Sequence, residues 1–254
     1  MHKRRLFRVL VVIIVFLAIW QVICSLKIYP EFILPYPLSV FRSFIDSIRD
    51  FSLIKHIFSS IKRIAIGYFI SFILAFVLAT FALKFRKTMG FLDIPIEFMR
   101  SVPPLSLIPL LILWFGIGEV SKTIVIVLAS FFPMYLSFYK GFSEVDNKLI
   151  EVARSFNFNN LEIYKKVILP YSFSDILVGM RIGLGYSYRA IIGAELIAAS
   201  SGIGYMIDMA KSLSQIDVVI MGILIIGLLG YISDRIFLNL INSRRRGMYE
   251  QHQN

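Results

Sequence analysis

Arg181, Arg189 and Glu195 stand inside one apolar stretch, SDILVGMRIGLGYSYRAIIGAEL. A charge at membrane depth must be matched or must act. Two kinds of chemistry are open to such groups: ion pairing, and attraction of a charged solute. Arg181 lies near one end of the stretch, where it either snorkels to the interface or takes part in function. Arg189 is more central and sits about 80° around a helix from Arg181. It faces a central path and attracts an anion, or it pairs with Glu195; pairing or packing is favoured. Gly179, Gly183 and Ser187 recur four apart in the same stretch, a small-residue stripe that lets helices approach closely.

Other chemistry is excluded by what surrounds these residues. Cys24 is the single cysteine, and His2, His56 and His252 are scattered, so neither a disulfide framework nor a metal cluster is encoded. Asp175, Glu195, Asp208 and Asp217 are dispersed, which leaves no catalytic constellation. A phosphate loop is missing: the nearest run, YMIDMAKS at 205–212, lacks both glycines that would cradle phosphate. Gly202-Ile-Gly204 is only a fragment of a dinucleotide fingerprint, with Ile207 in the third glycine's place. The chain is therefore expected to be no enzyme, with no cofactor.

A polar segment, EVARSFNFNNLEIYKKVILP at 151–170, interrupts the apolar chain. Leu149, Ala153 and Phe156 recur at helical spacing, with Glu151 and Arg154 on the other side. Asn157 comes next, the residue best suited after glycine to the left-handed position that closes a helix. Asn159 and Asn160 are able to cap a second helix, whose apolar side is Leu161, Tyr164, Val167 and Ile168. Pro170 is expected to stop it and to force Leu169 out of helical geometry. Two short helices around a tight turn make a docking loop.

The elements that hold these groups are membrane helices. The 254 residues are 57% hydrophobic, with mean hydropathy +0.76, against less than half apolar in ordinary soluble domains. Apolar runs predict an all-α, polytopic fold in one domain, with spans at 7–26, 64–84, 102–116, 121–141, 174–198 and 216–240 and a loop at 142–172. The N-terminus resembles a signal peptide without a cleavage site, and is expected to remain as a first helix. Lys3, Arg4, Arg5 and Arg8 put its amino end in the cytoplasm. Alternation then places Lys84, Arg86, Lys87, the 142–172 loop and Arg244, Arg245 and Arg246 on the same side, in line with the positive-inside rule. Most of the net charge of +11 has this plain cause. The misfit is 27–63, predicted outside yet carrying Lys27, Arg42, Arg49, Lys55, Lys62 and Arg63; its apolar spacing suits an interfacial helix running into the second span. Pro103, Pro104 and Pro109 mark the start of the third span. They either break it, as in helices that line transporter cavities, or occupy a helix entry. Pro104, Arg189 and Glu195 are the candidate residues of a path.

The 151–170 segment resembles the coupling signature of bacterial ABC-importer permeases, Glu-Ala-Ala…Gly…Ile-x-Leu-Pro. Glu151, Ala153, Leu169 and Pro170 match; Val152, Asn157 and Val167 replace Ala, Gly and Ile. The run RSVPPLSLIPLLILWFGIGEVSK at 100–122, Phe131-Phe132-Pro133, and the stretch from Gly179 through Glu195 to Ala198, with Gly202 and Gly204 after it, resemble one subgroup. Its members are permeases for nitrate, sulfonate, taurine and bicarbonate, and for thiamine and riboflavin precursors. The resemblance implies a permease homodimer with the path between subunits, two partner ATPase subunits, and an extracytoplasmic solute-binding protein. It also implies that Glu151, Ala153, Asn157, Leu169 and Pro170 belong to the coupling element, and that the protein lies in the bacterial inner membrane. The alternative, a stand-alone secondary transporter or channel, needs its own coupling-ion site, and neither an inverted repeat nor matched broken helices mark one.

Overall fold

The computed structural model describes residues 2–251, and the side chains of all of these except 2–6, 9, 86–93 and 243–251. Lys3, Arg4, Arg5, Arg86, Lys87, Arg244, Arg245 and Arg246, which carry much of the orientation argument, lie outside the described side chains, as do His2 and His252. The described elements are all helical: α1 (His2–Ser25), α2 (Pro37–Arg49), α3 (Ser52–Lys84), α4 (Arg86–Ser101), a 3₁₀ turn (Pro104–Leu107), α5 (Ile108–Phe115), α6 (Glu119–Ser143), α7 (Asn147–Ser155), α8 (Asn160–Ile163), a π turn (Tyr164–Ile168), α9 (Leu169–Tyr171), α10 (Phe173–Ala198), α11 (Ile203–Ser212) and α12 (Ile216–Gln251).

Among the described residues, three helices are long and apolar enough to cross a bilayer: α3, α6 and the Ile216–Asn242 part of α12. Two bent pairs raise this to five if each is one span: Ile94–Ser101 with Pro104–Phe115, bent by 84°, and Asn160–Tyr171 with Phe173–Ala198, bent by 62°. The apolar Leu10–Ser25 part of α1 is shorter.

In the run at 102–116, residues 104–115 are helical and the chain bends by 84° just before them. Val102 and Pro103 are extended (ψ 121° and 123°), each because a proline comes after it. The two prolines also supply no N–H, so α4 cannot continue through them. The chain resumes as a 3₁₀ turn and an eight-residue helix, about 12 Å long. The proline cluster thus breaks the chain near the middle of an apolar segment, and α4 itself fills a region expected to be loop.

The chain divides into two compact units, residues 1–60 with 200–227, and residues 61–199 with 228–254. In the first, the interfacial helix expected at 27–63 becomes α2 and the start of α3, separated at Phe51 by a positive φ of 61°. The α11 helix, unexpected from the sequence, begins at Gly202 (φ 116°). Its first amides are held by α3: Gly202 N–H donates to His56 Nδ1 (3.1 Å) and Ile203 N–H to Ser60 Oγ (2.9 Å).

The second unit is built on α6 against α10. Gly179, Gly183 and Ser187 are buried and lie on the face of α10 turned to α6. A Cβ at Gly183 would lie 2.5 Å from Met134 Cε, and one at Gly179 would lie 2.7 Å from Ser137 Cβ. The same core takes in Ala75, Ala79 and Ala82 of α3, Phe138 and Phe142 of α6, and Ala153 and Ile168 of the polar segment.

Candidate functional site

The polar segment is two short helices around a turn. Asp146 caps α7, its carboxylate accepting from Lys148 N–H at 2.9 Å. Asn157 takes the left-handed conformation, φ 59°, and its amide and that of Phe158 close on the Arg154 and Ala153 carbonyls. Asn159 then caps α8 reciprocally: its side chain accepts from Glu162 N–H (2.9 Å), while Glu162 Oε2 accepts from Asn159 N–H (3.0 Å). That hydrogen bond, reinforced by Lys166, holds the Glu162 carboxyl below the usual carboxylate range.

Pro170 does not stop the helix, and Leu169 is helical (φ −59°, ψ −49°). The backbone widens into a π turn at Tyr164–Ile168 just before the proline. Widening draws the preceding carbonyls away from the ring and removes the demand for an N–H at Pro170. The break falls two residues later at Ser172 (φ −80°, ψ 0°), whose Oγ donates to the Gly141 carbonyl of α6 at 2.6 Å.

Burial separates the residues of this segment into two sets. Ala153 is 4% exposed and belongs to the core, as do Ile163 and Ile168. Leu149, Val152, Phe156 and Leu161 are exposed, Phe156 at 71%, as are Glu151 and Arg154. Of the two apolar sides read from the sequence, Ala153 and Ile168 are buried, Tyr164 and Val167 pack partly buried against the same core, and Leu149, Phe156 and Leu161 are exposed.

The charges of α10 find unexpected partners. Glu195 does not pair with Arg189. Its side chain is fully buried, and Arg63 Nη1 donates to it at 2.7 Å. Arg63 also grips Glu119 at the start of α6 through Nε (2.7 Å) and Nη2 (2.9 Å), and Lys122 Nζ donates to the same carboxylate at 2.6 Å. Four charges from three helices thus neutralise one another at the end of the α6–α10 pair remote from the polar segment. In sequence Arg63 reads only as a surplus cation of the 27–63 misfit, because its partners are too distant along the chain for spacing to show. Arg181 pairs bidentately with Asp234 of α12 (2.5 and 3.0 Å).

Arg189 is exposed and forms no ion pair among the described residues; its guanidinium lies 5.5 Å from the centre of the Tyr186 ring. Ile182, Gly185, Tyr186 and Arg189 form the exposed face of α10, opposite the glycine face. Beside it is a cavity of about 250 Å³ lined by Arg100, Pro104, Phe132, Leu136, Ile182 and Tyr186, among others. Pro104 and Arg189 thus lie on or next to one cavity, and Glu195 does not line it. No group of three or more metal-ligating side chains exists among the described residues.

Residues 67–246 match the family model described as "Binding-protein-dependent transport system inner membrane component". The chain belongs to that family. This permease is 38% identical over 230 residues to an aliphatic sulfonates transport permease protein of Bacillus subtilis, covering 91% of this chain and 83% of that one. It is 34% identical over 224 residues to the taurine transport system permease protein of Escherichia coli, covering 86% and 81%. Among solved structures it resembles an inward-facing methionine ABC transporter, with TM-score 0.64 at 15% identity, covering 77% of this chain and 97% of that one. An amino acid ABC transporter matches with TM-score 0.64 at 16% identity, covering 81% and 97%; both likenesses concern the fold. The permease is a multi-pass inner-membrane transport subunit of the ABC importer class.

Proposed function

We propose that the permease forms the membrane pathway of an ATP-driven importer of a small organic anion, best represented by an aliphatic sulfonate. A taurine-like anion is the solute suggested by a second relative, and nitrate-like anions and vitamin precursors are those the subgroup resemblance implies. Two copies enclose the path, a solute-binding protein delivers the anion from outside, and two ATPase subunits bind at the cytoplasmic face. Both termini are cytoplasmic, and the spans keep to the six apolar runs, the third of them broken at Pro103 and Pro104.

One observation carries the reading. The segment at 147–171 is folded firmly by two caps and a left-handed asparagine, yet presents Leu149, Val152, Phe156 and Leu161 outward. A rigid polar loop with an apolar crest is suited to a partner's groove. Glu151 at its edge is exposed, where an ion pair contributes little; shape is the larger part of docking. When the ATPases close on ATP, the helix pair moves with them. Its buried side, Ala153, Ile163 and Ile168, passes that motion to α3 and α6, and the joint at Pro170 and Ser172 passes it to α10.

Ala153 supports the crest from beneath, so Phe156→Asp is the sharper test. Phe156→Asp permease is expected to insert normally but to lose its ATPase on co-purification and to lose ATP-dependent uptake. Full retention of the ATPase and of uptake would reject the docking reading. Uptake that persists without any ATPase would favour a stand-alone transporter.

A further inference from the structure

We propose that the cavity at the broken helix is a transit site for organic anions, with Arg100 as the residue that selects for charge and the Phe132–Tyr186 walls as the part that accepts an apolar tail. The inference rests on the import reading above and deepens it.

The cavity lies where the chain is broken. It is walled by Leu128, Phe132 and Leu136 in the middle of α6 and by Ile182 and Tyr186 of α10, at the bend between α4 and the Pro104–Phe115 segment. A break within an apolar, membrane-spanning segment exposes backbone that lipid cannot satisfy, so such breaks belong at cavities that hold water or solute.

The cations nearest the cavity are loosely matched. Arg100 stands in the last turn before the break. Its one ion-pair partner among the described residues is Glu97, on the same helix, at a loose 3.8 Å, with both side chains half or more exposed. Arg189, three residues along α10 from Tyr186, has no carboxylate partner among the described residues and rests on that ring. Arg63 and Arg181, by contrast, are gripped at 2.5–3.0 Å, the first by Glu119 and Glu195 and the second by Asp234. Cations left loosely matched among the described residues are available to an anion. The turn after the break starts at Pro104, which has no N–H to donate, so it offers fewer amides than an ordinary helix start.

The lining sets the shape of the ligand. Apart from Arg100 and the Tyr186 hydroxyl, the walls are apolar, from Pro104 and Phe132 to Leu136 and Ile182. One cation in an otherwise apolar cavity of about 250 Å³ suits a ligand with a single anionic head and a short hydrocarbon tail. It suits an inorganic oxyanion poorly, since that needs donors on every side. Arg100 lines the cavity itself, and Arg189 rests on the ring of Tyr186, which also lines it.

The test uses the complete importer, permease with its ATPase and binding protein, in proteoliposomes. ATP-driven uptake of labelled ethanesulfonate and hexanesulfonate is measured beside binding-protein-stimulated ATP hydrolysis. Arg100→Gln is expected to lower sulfonate uptake at least tenfold while assembly and stimulated hydrolysis persist, and Arg100→Lys to restore part of it. Leu136→Trp, which fills the cavity, is expected to reduce hexanesulfonate uptake more than ethanesulfonate uptake. Wild-type uptake and unchanged chain-length preference in Arg100→Gln and Leu136→Trp would overturn the transit site and leave the importer reading intact. Failure of the wild-type assembly to hydrolyse ATP or to move any anion would instead overturn the importer reading.

Discussion

The far end of the α6–α10 pair and its middle treat charge in opposite ways. At the end, Arg63, Glu119, Lys122 and Glu195 close on one another within 2.9 Å, and the Glu195 side chain is wholly covered. Beside the middle, among the described residues, Arg100 of α4 has one loose ion-pair partner and Arg189 of α10 has a tyrosine ring and no carboxylate. Helix α10 therefore contributes both to a saturated cluster, through Glu195, and to the loosely matched cations, through Arg189. Saturated charge fixes helices, because each group satisfies the demand made by the others. Open charge in an apolar setting holds nothing together, and its persistence points to a solute.

That contrast can be broken most severely at Arg63. Arg63→Ala strands the buried Glu195 carboxylate and releases Glu119, and loss of one partner of a buried pair destabilises by about 3–5 kcal/mol. A clear drop in the thermal midpoint of purified permease is expected, and Arg63→Met with Glu195→Met should recover much of it. Arg100→Gln or Arg189→Gln should change stability by less than about 0.5 kcal/mol. Equal losses at Arg63 and Arg100 would erase the distinction.

The close α6–α10 approach is the frame for both clusters. Gly183→Val drives side-chain atoms into Met134 and the Ser130 carbonyl and should destabilise by about 1–3 kcal/mol, with Gly183→Ala milder because Met134 is able to shift. Denaturation of the purified variants checks this order.

Smaller effects are expected in the coupling segment. Asn159→Ala removes one arm of the capping box and should weaken the turn by about 1 kcal/mol, read as faster amide exchange at Glu162. Asn157→Gly should be neutral or slightly stabilising, since φ is 59°, and Asn157→Val unfavourable.

The smallest effect is a pH response. Glu162 has its carboxyl pKa lowered, chiefly by the Asn159 amide. Its contribution is complete above the ordinary glutamate pKa of about 4.3 and is lost as pH falls through the lowered folded value. Exchange protection of the Asn159 amide should fall on acidification in that window, and Glu162→Gln should flatten the response.

These regions are legible in the sequence to different depths. The coupling turn is readable because its signals are local: Asn157 adopts the left-handed bend and Asn159 the cap that their side chains favour. The glycine stripe is readable because helical spacing is local too. The partner of Glu195 is not, since Arg63 lies 132 residues away and only tertiary folding joins them. Helices α4 and α11 escape a reading by apolar runs because α4 is rich in charged residues and α11 has only ten residues, so neither reads as a span. Leu169 departs from expectation because the proline rule assumes an ordinary helix, and a π turn changes the geometry the rule depends on. Pro104 and Arg189 stand out separately by local cues; the fold puts Pro104 in the cavity lining and Arg189 against the ring of Tyr186, which lines it. Its main cation, Arg100, carries no local cue that sets it apart from other basic flanks.

The most direct measurement of the coupling mechanism is ATP-driven sulfonate uptake by the reconstituted importer, with wild-type and Phe156→Asp permease compared at equal membrane content. Robust uptake is expected in the first, and in the second a loss of at least tenfold together with release of the ATPase. Wild-type uptake by Phe156→Asp with the ATPase still bound would contradict the coupling role of the 147–171 segment.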